Sequence, residues 1–160
     1  MAKKLWGGRF AKGTDPLVEE FTRSIQYDHK LAEYDLIGSL AHVQILKKAG
    51  YLTAAEKAKL EKGLKAILSV IENCQFKPDC ACEDIHSDIQ NKLQAKVGDL
   101  VLKLHTARSR NDQVVFATKM YCKIELIKLQ IALSEFNMAL CGLAAKNSDV
   151  IIFPFVANLR

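Results

Sequence analysis

The sequence has 160 residues, enough for one ordinary domain, and its 49% hydrophobic and 26% charged residues are those of a soluble globular chain. The net charge of +5 is divided between the halves, with 13 basic and 10 acidic residues before position 81 and 10 and 8 after it. That spread excludes a basic stripe of the kind that reads as a nucleic-acid surface.

With only three prolines and eight glycines, helix breakers are scarce, and an all-α fold is expected. Residues 1–14 contain Trp6-Gly7-Gly8-Arg9-Phe10, read as an irregular arm that docks by its aromatics. Lys3 and Lys4 are followed by no apolar run, so no signal peptide is read. Asp15 and Pro16 then form a helix start, cap and first position. That short helix, with Leu17, Val18 and Phe21 apolar, is expected to end near Ser24-Ile25-Gln26-Tyr27-Asp28.

A second helix is predicted over residues 29–49, with Leu31, Tyr34, Leu40, Val43 and Leu46 at helical spacing and Gly50 as its stop. Thr53-Ala54-Ala55-Glu56 is a capping box, opening a third helix that reaches about Glu72. A loop around Pro78 follows, and Glu83-Asp84 opens a fourth helix that runs to about Val97. The odd count of five cysteines suits a reducing cytoplasm better than a disulfide framework. Cys80 and Cys82 near His86 do not have a usual zinc spacing, so neither metal nor cofactor is expected.

The last helix, about 112–146, carries two apolar seams. Met120, Ile124, Ile127 and Ile131 step along one, and Leu126, Leu129, Leu133 and Phe136 along another. A helix with two apolar faces needs neighbours on both. At ~1.5 Å per residue its length is roughly 50 Å, against a radius of gyration of roughly 15 Å for a compact chain of this size. The expectation is a piece of a larger bundle or a chain covered by other chains. No uncharged run is long enough for a bilayer, and the charges are distributed around the helix, so no membrane role is read.

Before this helix stands His105-Thr106-Ala107-Arg108-Ser109-Arg110-Asn111-Asp112-Gln113-Val114. Its residue types allow two readings. Ser109, Asn111 or Asp112 caps the helix while the arginines are solvated, or Arg108 and Arg110 join the positive helix end to make a carboxylate or phosphate pocket. The exact string resembles the first signature region of the argininosuccinate lyase family, departing at Ala107, where the family usually has Gly. Trp6-Gly7-Gly8-Arg9-Phe10, Ser24-Ile25-Gln26-Tyr27-Asp28 and Glu83-Asp84-Ile85-His86 resemble further family motifs, in the family order.

The resemblance implies a helical scaffold, a homotetramer, and reversible elimination of argininosuccinate to arginine and fumarate. It assigns Ser24, Asn111 and Arg110 to binding the substrate, places Asp84 and His86 near the site, and leaves Arg108 and Gln113 to brace the loop. For Asp84 and His86 a structural hydrogen-bonded pair is an equal alternative. His29, His42 and His105 have an ordinary surface or satisfied-core reading. Residues 1–111 would form the amino-terminal domain and 112–160 the first long helix of the central bundle.

The family's later Thr and His fall on Ala157 and Asn158 in a gapless register, and asparagine has no group that titrates near neutral pH. The family's catalytic serine loop has no counterpart in the sequence. The first expectation is therefore a truncated, cytoplasmic argininosuccinate lyase segment that is inactive alone. A non-catalytic oligomerisation module derived from the same scaffold is the alternative. Another enzyme of the superfamily, such as fumarase or aspartase, is disfavoured by the Arg-Ser-Arg-Asn-Asp-Gln string.

Overall fold

The computed structural model describes residues 15–151. The Trp6–Phe10 motif and the Ala157 and Asn158 positions lie outside the described residues. Among the described residues every regular element is a helix, so the fold is all-α.

Helix α1 (Pro16–Thr22) starts as its sequence dictates: the Asp15 carboxylate accepts the Leu17 N–H at 2.8 Å, and Pro16 occupies the first turn, where no N–H is missed. It stops earlier than the expected 24–28 region. Arg23 turns extended at ψ 125°, and Ile25–Asp28 forms a separate helical turn, α2. The cause is long-range. Ser24 and Ile25 both donate their N–H to the Glu83 carbonyl, at 2.8 and 3.2 Å, instead of continuing α1.

A 3-10 turn (His29–Leu31) leads into α3 (Ala32–Lys48). Gly50, at φ 84°, ends α3 in a left-handed conformation that costs glycine little. Its N–H bonds the Lys47 carbonyl and that of Tyr51 bonds Leu46, satisfying carbonyls the helix leaves open. Helix α4 (Ala54–Glu72) carries the expected capping box, with Thr53 and Glu56 bonding reciprocally. Helix α5 (Ile85–Val97) is capped by Asp84, whose carboxylate accepts the Ser87 N–H at 2.6 Å. A 3-10 segment (Gly98–His105) then reaches the signature loop, and α6 spans Arg110–Lys146.

The core is built where α3, α4 and α5 meet the 3-10 segment. Leu36, Val43, Leu60, Leu64, Ile85, Leu93 and Val101 are all fully buried there. Each such side chain contributes about 1.5–3 kcal/mol of apolar burial. Helices α4 and α5 come close at Gly63, where a Cβ would stand 2.7 Å from Leu93 Cδ1 and 2.9 Å from Val97 Cγ1.

The chain divides into two compact units between Cys122 and Lys123. In the first unit, Gln113 and Ala117 of α6 are buried, and Tyr121 meets Tyr34 edge-on at 6.0 Å. In the second, side chains of both predicted seams are open to solvent: Ile127 is 44% and Ile131 53% exposed on one, Leu126 64% and Phe136 59% on the other. Helix α6 is long and apolar enough, by length and composition, to cross a membrane. Yet Lys128, Gln130, Glu135 and Asn137 lie within its apolar stretch, and one charge at a bilayer centre costs about 2.5–3.5 kcal/mol.

Candidate substrate-binding site

Two segments nearly sixty residues apart in sequence are stitched together to form one wall. Besides the bonds to Glu83, the Ser24 hydroxyl donates to Asp28 Oδ2 at 2.6 Å, and Asp28 Oδ1 accepts the Ile85 N–H at 3.2 Å. Asp28 thereby ties the serine turn to the head of α5. The wall borders a cavity of about 450 Å³, lined by Ser24, Tyr27, Asp28, Lys30, Asp84, His86 and, from α6, Val114, Thr118, Tyr121 and Cys122.

Arg110 stands beside Asp84. Its Nη2 donates to Ser87 Oγ at 3.2 Å, while Nη1 lies 3.6 Å from Asp84 Oδ1 without making a hydrogen bond. That guanidinium group balances the Asp84 carboxylate at the edge of the wall, and guanidinium is a group that binds carboxylates well. The two carboxylates of the wall are already occupied: Asp84 by Arg110 and the Ser87 N–H, Asp28 by Ser24 and the Ile85 N–H. Their repulsion of an anion is correspondingly reduced.

The turn before α6 explains the local order of the signature residues. Ser109 Oγ accepts the Asn111 N–H at 3.2 Å, and Asp112 Oδ2 accepts the Ser109 N–H at 3.0 Å. Serine is therefore the cap, and the helix begins at Arg110, two positions before the expected start. The arginines are not simply solvated. Arg108 reaches back to Ser39 of α3, donating from Nη1 at 3.1 Å. Gln113 is buried and donates from Nε2 to Asp35 Oδ1 at 2.5 Å. Asn111 is exposed on the first turn of α6 and does not line the cavity.

Arg108 and Gln113 border a second cavity of about 330 Å³, with Asp35, His42, Asp112 and Phe116. Burial holds the Arg108 guanidinium below its ordinary value, with Asp35 opposing and Arg110 reinforcing that effect. Burial likewise holds His105 low, aided by Arg108 and Arg110, and His42 low against the pull of its bond to the Thr106 carbonyl. The loop's own cations thus favour neutral imidazoles. Each remaining histidine nitrogen contact is ordinary: His42 Nε2 with Thr106 O at 3.0 Å, His105 Nε2 with Gln90 Oε1 at 2.9 Å, and His29 Nδ1 with Ile25 O at 3.3 Å.

Ser24, Asp84 and His86 share the larger cavity, and Arg110 joins them through Asp84; Arg108 and Gln113 lie at the second cavity. Asp84 and His86 do not pair with each other. His86 Nδ1 instead stands 3.3 Å from Asp35 Oδ2, both residues buried. Asp28 stood in the Ser24–Asp28 motif without a role of its own and Asp35 stood in none; only Asp28 had a readable signal, its position four residues after Ser24 on one helical face. Among the described residues no group of three His, Cys, Asp or Glu side chains is placed to hold a metal ion, and the described cysteines are all free.

The family profile described as "Lyase" matches residues 8–155. The chain belongs to this lyase family. Among curated relatives, it is 45% identical to the argininosuccinate lyase of Desulforamulus reducens over 93% of this chain and 32% of that protein. It is 44% identical to that of Pelotomaculum thermopropionicum, over 93% and 32% respectively. It is 42% identical to that of Acinetobacter baylyi over 94% of this chain, again 32% of the relative. The chain therefore spans about a third of the length of the lyases it matches.

Proposed function

We propose that this chain is the amino-terminal part of an argininosuccinate lyase, a cytoplasmic enzyme of arginine biosynthesis that works as a homotetramer and needs no cofactor. The carrying observation is the cavity that collects Ser24, Asp84 and His86 on one wall, with Arg110 beside it in an ion pair with Asp84. The reaction cleaves argininosuccinate into arginine and fumarate, reversibly. A base takes the proton from the carbon next to a succinyl carboxylate, and charge moves into that carboxylate. The carbon–nitrogen bond then breaks, and the departing guanidinium nitrogen is protonated.

A site for this reaction holds two carboxylates and stabilises the charge that grows on one of them. Arg110 supplies guanidinium donors and Ser24 a hydroxyl for the succinyl group; Asn111, exposed outside the cavity on the first turn of α6, is assigned its carboxamide contact by the family resemblance alone. Arg108 and Gln113 hold the loop against α3, and Asp84 and His86 orient the substrate. None of these residues is assigned as the proton-moving pair. Asn158 stands where the family places its histidine, so the 160-residue chain is expected to be inactive by itself.

That same absence of a titratable group favours a second reading, a non-catalytic helical module that kept the scaffold. Fumarate release, followed by ultraviolet absorbance, separates the two. The chain alone is expected to give none. Mixed with the remaining two thirds of a related lyase, it is expected to restore turnover, and Ser24→Ala or Asn111→Ala is expected to lower it roughly a hundredfold. Robust turnover by the chain alone would overturn the assignment of inactivity. Failure of the mixture to bind argininosuccinate would favour the module.

A further inference from the structure

We propose that Asp35 is the positioning residue for His86, fixing the imidazole with Nδ1 toward α3 so that Nε2 serves as the acceptor nitrogen on the cavity side. The inference rests on reading the larger cavity as the substrate site.

Asp35 lies on the first turn of α3 and is only 1% exposed; His86, on the first turn of α5, is 2% exposed. Asp35 Oδ1 is taken by the Gln113 amide at 2.5 Å. Asp35 Oδ2 and His86 Nδ1 are each buried without a hydrogen-bond partner, and they stand 3.3 Å apart. A buried polar atom left unpaired costs about 1–3 kcal/mol. At that distance the contact lacks only alignment, and neither atom has another hydrogen-bond partner.

The carboxylate can only accept, so the bond needs the proton on Nδ1. In a neutral ring the lone pair then resides on Nε2. His86 lines the cavity with Ser24 and Asp84, whereas Asp35 borders the second cavity with Arg108 and Gln113. Asp35 is therefore the partition between them. It links the signature loop, through Gln113, to the one imidazole of the substrate wall. Such an outer partner sets which nitrogen of a histidine faces a ligand, and so what that nitrogen can recognise. A bare Nε2 accepts a bond from an N–H, which suits the guanidinium end of the substrate and not its carboxylates.

The test is the tautomer of His86 in the 160-residue chain, read by long-range proton–nitrogen correlation in histidine-labelled protein. Of the four histidines, His86 is identified by the signal lost in His86→Asn. The expected result is a protonated Nδ1 and a bare Nε2. Asp35→Asn, whose amide can donate to Nδ1, is expected to move the ring toward the Nε2–H form with helical circular dichroism retained. An Nε2–H tautomer in the unsubstituted chain would overturn the proposal, and that measurement stands even if Asp35→Asn does not fold. In the mixture with the rest of a related lyase, Asp35→Asn is expected to lower kcat about tenfold with KM nearly unchanged. Equal loss through assembly alone, with kcat per assembled site unchanged, would also overturn it. If the unsubstituted mixture shows no turnover, the lyase reading falls while the tautomer still decides the role of Asp35.

Discussion

Ala107 holds a backbone that suits another residue. Its φ of 55° is left-handed, where a Cβ crowds the following carbonyl at a cost of roughly 1–2 kcal/mol. Ala107→Gly removes that strain but adds chain entropy to the unfolded state. The net is expected to be a gain of about 0.5–1 kcal/mol, read as a higher urea midpoint with an unchanged slope. The two low-titrating histidines make a different prediction. His42 and His105 are held below their ordinary 6.5, chiefly by burial, so the unfolded chain takes up protons first as pH falls. Their contribution to stability is fully present above 6.5 and is lost as pH drops from there toward the folded-state values. Urea titrations at stepped pH should show this loss, and His105→Gln should flatten it. Glu56 acts in a lower window. Its bonds to Lys103 and Thr53 hold it at about 2, from an ordinary 4.5, so its part is present above 4.5 and lost between the two values. It lies at the protein surface, and salt should weaken it. At this scale Ala107 was legible, because a family glycine had been replaced. Asp35 was not. An acid on the first turn of a helix reads as a solvated complement to the dipole, and its burial depends on His86 and Gln113, which lie far along the chain.

The helices meet most tightly where side chains are smallest. At Gly63 a Cβ would press on Leu93 and Val97, both buried in the core, so Gly63→Val must move α4 away from α5. A loss of about 2–3 kcal/mol is expected in denaturant titration. Gly38→Ala serves as the contrast. Its Cβ would meet the Phe116 ring at 2.7 Å, but that ring is 40% exposed and can swing aside, so the cost should be under about 1 kcal/mol. Element identity was readable from caps and periodicity, as Asp15, Thr53 with Glu56, and Asp84 show, because those signals are local. The break at Arg23 was not. Leu17, Val18 and Phe21 are exposed, so α1 has no buried face to compete for the chain, and the Glu83 carbonyl captures the next two amides. A pattern within the segment cannot announce a partner outside it.

For the molecule as a whole, the unit beyond Cys122 displays apolar side chains on both seams of its helix. Exposed apolar surface of this extent drives association. Sedimentation of the purified chain is expected to show mass rising with concentration, and Leu133→Glu with Leu140→Glu is expected to reduce that rise. A compact monomer at every concentration would contradict it. The two-seamed pattern was legible because it repeats over many turns, and the all-α class followed from scarce breakers. The gathering of Ser24, Asp84 and His86 was legible only through resemblance, since spacing alone carries no information about which loops meet. The Glu83 carbonyl, which accepts both Ser24 and Ile25, has a consequence for birth order on the ribosome. The serine turn is translated early yet finds its fastener only after position 83 has emerged. The nascent wall of the pocket is thus written first and closed late, and a chain interrupted between the two would leave the serine turn without its tie to the head of α5.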